Sequence, residues 1–277
     1  MIIANLARDV VREAFARRFM LAAVGFIALG VLALALALDL EVVEGTLAAG
    51  RLFGLQLHNP IVPLDVAMRD IFAAFAYPMF YLGLLFGIVA TSGTAASMLA
   101  PGRVELLLSL PVRRVELVLG LFTGVLVISL LCTLVAVGGV AAVLFAKTGF
   151  VTAAPAAGAL MAILGFLPVY AAMLLATSLV RSPALAAGCG LLLLIAGVVA
   201  SDRAAFVALF KPGLARSAVD VIITPLPRLH WMVTAGAEAA GRGELWNSAV
   251  TPAVASALVL AAALVAGAVF VVSGKDY

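Results

Sequence analysis

The sequence predicts an all-α membrane protein: a six-span helical bundle forming one domain over residues 1–277, with an N-terminal interfacial amphipathic helix and a short helix between spans two and three. Composition is the first reason. Hydrophobic residues make up 65% of the chain and charged residues 11%, with a mean hydropathy of +1.25. A soluble domain is about half apolar and about a quarter charged. The spacing of charge is the second reason. Cutting the chain at every Asp, Glu, Lys and Arg leaves six long runs: Phe19–Leu38, Ile71–Gly102, Leu117–Ala146, Thr148–Val180, Ser182–Ser201 and Leu245–Gly274. The shortest two hold 20 residues each, about the number a helix needs to cross the hydrocarbon. Thirdly, the runs are apolar on every face, whereas a barrel strand alternates over roughly ten residues. Spans are expected at residues 19–38, 71–99, 115–146, 154–180, 183–201 and 247–272.

Residues 1–18 read as a basic amphipathic helix in the headgroup plane. Ile3, Leu6, Ala7, Val10 and Ala14 fall at helical spacing on one face, and Arg8, Arg12, Arg17 and Arg18 are expected to meet anionic headgroups. The rival is a turn that merely continues span one. A cleaved signal peptide is disfavoured by Asp9, Glu13 and an apolar run of full span length. Residues 39–70 form a first outer segment, acidic at its start and punctuated by Pro60 and Pro63. Span two carries aromatics near its outer half. These read as an interfacial belt, with a substrate-facing role for Phe75, Tyr77, Phe80 and Tyr81 as the sharper alternative.

Residues 101–120, PGRVELLLSLPVRRVELVLG, interrupt the apolar pattern with a charged cluster. A helix of about two turns, Arg103–Leu110, is expected to stop at Pro111, and a fresh helix to start after it. A rigid amphipathic helix held between two spans suits a handle that a soluble partner can push. Lys147-Thr148 falls short of a phosphate loop because Ala141 and Ala146 stand where glycines are required. Pro155 and Pro168 lie in span four, and Arg181-Ser182-Pro183 makes the turn to span five. Residues 202–244 form the longest outer segment. Its apolar pieces are too short to span; they are re-entrant, lie flat on the leaflet, or cap the bundle.

The chemical inventory is thin. Cys132 and Cys189 sit alone in spans, and His58 and His230 lack a carboxylate or thiolate partner, so neither a metal site nor a catalytic group is expected. The spans hold no ionisable relay of the kind a proton-coupled transporter places mid-membrane. Arg and Lys crowd the span ends on the N-terminal side, which places both termini in the cytoplasm. An intramembrane lipid-modifying enzyme, the rival from another class, would need clustered polar groups at one depth.

The segment GRVELLLSLPVRRVELVLG resembles the inner loop of type-2 ABC exporter permeases, whose form is acidic-x-x-x-Gly-Thr-Leu-Glu-Leu-Leu-Leu-Ser-x-Pro followed by a basic helix start. Gly102, Glu105, Leu106, Leu107, Leu108, Ser109, Pro111 and Gly120 match. The acidic residue ahead of the glycine is missing, Arg103 replaces the threonine, and Arg113 replaces the serine that would form a capping box with Glu116. Size and layout are also similar to those of the family's maturation permease for nitrous oxide reductase. The resemblance implies an inner-membrane transmembrane subunit that couples ATP hydrolysis elsewhere to export or to an extracytoplasmic maturation process. It implies two cytoplasmic ATPase subunits, a second permease half that is identical or homologous, and room for a periplasmic accessory protein, with no nucleic acid. ATP and Mg would belong to the ATPase and no cofactor to this chain. Residues 102–111 would be the coupling helix, with Gly102, Arg103, Glu105, Leu107, Leu108, Ser109, Pro111, Arg113 and Arg114 at the ATPase contact. A subunit that only transmits force to a periplasmic partner is the alternative within the same family.

Overall fold

The computed structural model describes residues 2–16, 19–43, 46–52, 54–58, 62–100, 102, 112–149, 154–210, 213–242 and 250–275. The chain begins with α1 (Ile2–Ala16) and α2 (Phe19–Ala37). Four short strands follow: β1 (Leu38–Val43), β2 (Thr46–Leu52), β3 (Leu55–His58) and β4 (Val62–Pro63). The long helices α3 (Leu64–Met98), α4 (Arg114–Thr148), α5 (Ala154–Val180) and α6 (Pro183–Ser201) come next. Then α7 (Arg203–Ala208), α8 (Leu214–Ile223), α9 (Leu229–Arg242) and α10 (Val250–Ser273) complete the chain. Among the described residues five helices are long and apolar enough to cross a membrane, those within α3, α4, α5, α6 and α10; Ala22–Ala37 of α2 is a shorter apolar helix.

The bundle is built around α5. In its most apolar stretch 61% of residues are buried, against 28–33% in the other four long helices, because α3, α4, α6, α9 and α10 all lie against it. A helix apolar all round is stable only where lipid or protein covers every face. Tight crossings are made by small residues, which let neighbouring backbones approach. Phe80 of α3 fits over Gly165 of α5, and Leu229 of α9 over Gly197 of α6; a Cβ added at those glycines would lie 2.9 and 2.7 Å from the neighbouring side chain.

Two departures from the sequence reading stand out. The first outer segment was read only as acidic at its start and punctuated by prolines, and its described residues fold into a small antiparallel sheet. There β2 pairs with β1, β3 and β4, Leu38 stands opposite Leu52, and the register shifts at Glu41/Val42. Lys147 at the end of α4 fixes the sheet's start by donating to the Leu38 carbonyl and lying 3.7 Å from Asp39. The second departure is α9. Leu229, Met232, Val233 and Ala235 are buried between α3, α5 and α6, so this piece of the second outer segment is wedged into the bundle.

Candidate functional site

Helices α2, α4 and α6 start at the same end of the bundle at which α3, α5 and α10 finish, and the described residues flanking the charged interruption, Leu99, Gly102 and Arg113, belong to that end. Residues 103–111, which include Arg103, Glu105, Leu107, Leu108, Ser109 and Pro111, lie outside the described residues, as do Arg17 and Arg18. Their mounts are described. On one side Leu99 is 1% exposed and closes α3 by donating its N–H to the Ala95 carbonyl at 3.0 Å. Gly102 adopts φ +80°, a conformation that residues with a Cβ rarely tolerate. On the other side Arg113 is extended, and its N–H donates to Glu116 Oε2 at 2.8 Å. Half of a capping box therefore survives here, a correction to the broken box expected from Arg113. The other half is chemically closed, since a guanidinium has no acceptor.

The next residue ties the site to the far end of the chain. Arg114 donates through Nη1 to the carbonyls of Ser273 at 2.6 Å, Lys275 at 2.9 Å and Val272 at 3.4 Å. Lys275 in turn donates through Nζ to the carbonyls of Ser178 at 2.7 Å and Leu179 at 2.9 Å. The last carbonyls of a helix have no intrahelical donor and carry partial negative charge, so a cation satisfies both needs. Two cations thus bind α4, α10 and α5 into one unit at the start of α4.

Helix α1 joins the same end. Val10 and Ala14 are buried, while Arg8 and Arg12 are exposed on the opposite face. The buried face lies on α4, where Leu6 sits over Gly120 and Val10 over Gly124. Ser97 near the end of α3 donates to Glu13 Oε1 at 3.3 Å, adding a polar tie between α1 and α3.

The aromatic residues of α3 meet α9 toward the opposite end. Tyr77 donates its hydroxyl to Thr234 Oγ1, and Tyr81 Oη lies in hydrogen-bond contact with His230 Nδ1, both at 3.3 Å. The Tyr77 and His230 rings stand 5.8 Å apart, and Phe80 packs edge-on to Tyr81 at 5.4 Å. Phe80 itself is buried in the core, whereas Phe75, Tyr77 and Tyr81 are half-buried. No group of three or more His, Cys, Asp or Glu residues is placed to hold a metal among the described residues.

Sequence reasoning missed several residues beside this cluster. Ser201 at the end of α6 accepts from the His230 N–H through Oγ at 3.0 Å and from Trp231 Nε1 through its carbonyl at 3.0 Å. Arg203 forms a two-pronged ion pair with Asp220, at 2.6 and 2.7 Å. That hydrogen bond holds the Asp220 carboxyl below its usual range and the Arg203 guanidinium above its own. No local pattern announces a pair 17 positions apart.

The family model for ABC-2 family transporter proteins matches residues 2–274 of the chain, nearly its whole length. No curated protein matches it at a significant level.

Proposed function

Because this chain belongs to the ABC-2 transporter family, a family of membrane permease subunits that associate with an ABC ATPase, we propose that it is the membrane half of an exporter driven from the cytoplasm. In this reading two ATPase subunits bind ATP and Mg, and two permease halves enclose the path. This chain performs no chemistry of its own and carries no cofactor. The chain sits in the inner membrane with both termini in the cytoplasm. The cargo is exported substrate or a factor needed to mature an extracytoplasmic enzyme.

The observation that carries the proposal is the family match over residues 2–274. The geometry around residues 103–111 supports it. A coupling element has to move several helices together, and its mounts at Leu99 and Arg113 stand beside the Arg114 and Lys275 bridges that join α4 to α10 and α5. Force applied to this segment would then reach the central helix directly. Glu105, Ser109 and Arg113 would face the ATPase, and Leu107 and Leu108 would fill its groove, since an apolar surface on a cytoplasmic connection is costly without a partner to cover it.

Glu105→Arg tests the reading, because it reverses a charge in that groove while leaving the spans intact. The variant should insert and unfold like the parent yet fail to co-purify with its ATPase or stimulate ATP turnover. Leu107→Ala should weaken the same contact by about 2–5 kcal/mol if it is well packed. Parent-level co-purification and turnover in Glu105→Arg would show that residues 103–111 are only a connector.

A further inference from the structure

A cleft of about 580 Å³ lies where the C-terminal end of α6 meets α7, α8 and the start of α9. Arg203, Arg216, Arg228, Asp220, Ser201, Ser217 and Trp231 contribute its polar and aromatic lining. Asp220 is the one carboxylate among the described lining residues, and it is taken up by Arg203. Arg216 acts on Asp220 only at longer range, without an ion pair, and Arg228 forms no ion pair among the described residues. Arg228 lies over the Trp231 ring at 5.2 Å, which fixes its guanidinium at the cleft. The site is therefore cationic, with planar donors suited to a phosphate group.

Its depth follows from helix length. Helix α6 has 19 residues, so it is about 28 Å long at 1.5 Å per residue, close to the roughly 30 Å hydrocarbon thickness. Ser201, where it ends, marks the boundary, and Asp202 and Arg203 begin the headgroup zone. Helix α8 is amphipathic at that depth. Val219 and Ile223 turn toward the protein, Arg216, Ser217 and Asp220 toward the cleft, and Leu214, Ala218, Val221 and Ile222 outward. The outward stripe is left open by the described residues: Leu214 is 92%, Val221 71% and Ile222 67% exposed. In water such a stripe is costly; at a bilayer interface it is an anchor.

We infer that this cleft binds the phosphate of a membrane lipid, with Arg216 and Arg228 as its ligands and the apolar stripe of α8 set among the acyl chains beside it. The stripe sets α8 among acyl chains whichever anion fills the cleft, and at that depth the phosphates nearest Arg216 and Arg228 are those of lipid headgroups. This inference rests on the membrane-spanning bundle and not on the transport reading, so it stands or falls separately from the ATPase contact.

The test uses the full-length permease, delipidated in detergent and mixed with dioleoylphosphatidylglycerol, dioleoylglycerol or inorganic phosphate. Retained lipid is read by native mass spectrometry. Phosphatidylglycerol should be retained, and retention should fall by about tenfold for each arginine removed in Arg216→Gln and Arg216→Gln/Arg228→Gln. Dioleoylglycerol should be held weakly, and inorganic phosphate at equal concentration should fail to displace the phospholipid. Unchanged retention in the variants overturns the site. Equal retention of dioleoylglycerol removes the role of phosphate, and displacement by inorganic phosphate makes it a free-anion site and overturns the lipid assignment. Should loss of Arg228 disturb Trp231 and the fold, the exposed Arg216→Gln variant decides the outcome alone.

Discussion

The guanidinium of Arg114, at the start of α4, donates to the backbone carbonyl of Ser273 at the end of α10 across 2.6 Å. That one contact closes the chain on itself, since the two residues are 159 positions apart. The same nitrogen also reaches the Lys275 and Val272 carbonyls. Arg114→Gln shortens the reach and removes the charge. Hydrogen bonds to a charged donor contribute about 1.5–3 kcal/mol each, so the C-terminal end of α10 should fray. The expected readout is faster hydrogen exchange at Val272, Ser273 and Gly274 with the centre of α10 unchanged. Protection equal to the parent would show that the bridge holds nothing.

The seat of α1 on α4 is a second test. A Cβ added at Gly124 would lie 2.7 Å from Val10 Cβ, closer than real side chains approach. Gly124→Ala should cost about 1–3 kcal/mol through overpacking, read as a lower midpoint of thermal unfolding in detergent. Val10→Gly, which removes that Cβ together with the two methyls at 2.9 and 3.1 Å, should restore part of the loss in the double variant, because the two residues touch. Additive losses would show that α1 does not rest there.

Acid should loosen α7 from α8. The hydrogen bond from Arg203 depresses the Asp220 pKa in the folded state. Its contribution to stability is therefore fully present above the ordinary aspartate value of about 3.9 and is lost as pH falls through the lower folded value. The hydrogen-exchange protection of Leu214–Ile223, taken relative to the intrinsic rate at each pH, should fall on acidification in the parent. In Asp220→Asn it should be low already at neutral pH and lose that dependence. An identical acid profile in the two proteins would remove the pair from the account.

Tyr170 offers a prediction of the opposite sign. Its ring lies between Phe122 and Phe166, with centroids 5.9 and 6.0 Å away, and it is fully buried in α5. Its hydroxyl has no hydrogen-bond partner among the described residues. A buried hydroxyl without a partner costs about 1–3 kcal/mol. Tyr170→Phe should therefore raise the unfolding midpoint, and a fall would reveal a partner for the hydroxyl.

Much of this molecule was legible before folding was considered. Charge-free runs such as Thr148–Val180 and Ser182–Ser201 name helices of a membrane bundle, because insertion into hydrocarbon depends on hydropathy summed over about 20 neighbouring residues. The entry helix was legible for a related reason: the spacing of Leu6, Val10 and Ala14 writes its buried face directly into the chain. The charged interruption at 101–120 was equally plain, since charge inside an apolar sequence must return to water. The coupling residues within it, 103–111, lie outside the described residues, so for them the sequence remains the source of the reading.

Tertiary structure alone decided which faces meet. Helices α4 and α5 are apolar all round, so their sequences hold no stripe to say that α5 is central or that Gly120 and Gly124 receive α1. Helix α9 has a polar-looking sequence for a core element, yet the wedge between α3, α5 and α6 buries it because Tyr77, Tyr81 and Ser201 satisfy its polar groups. Arg203 with Asp220 and Arg114 with Ser273 pair across 17 and 159 positions. Local periodicity is blind to such distances; they are set when small residues let backbones close in and each buried donor finds the acceptor that the packing has brought to it.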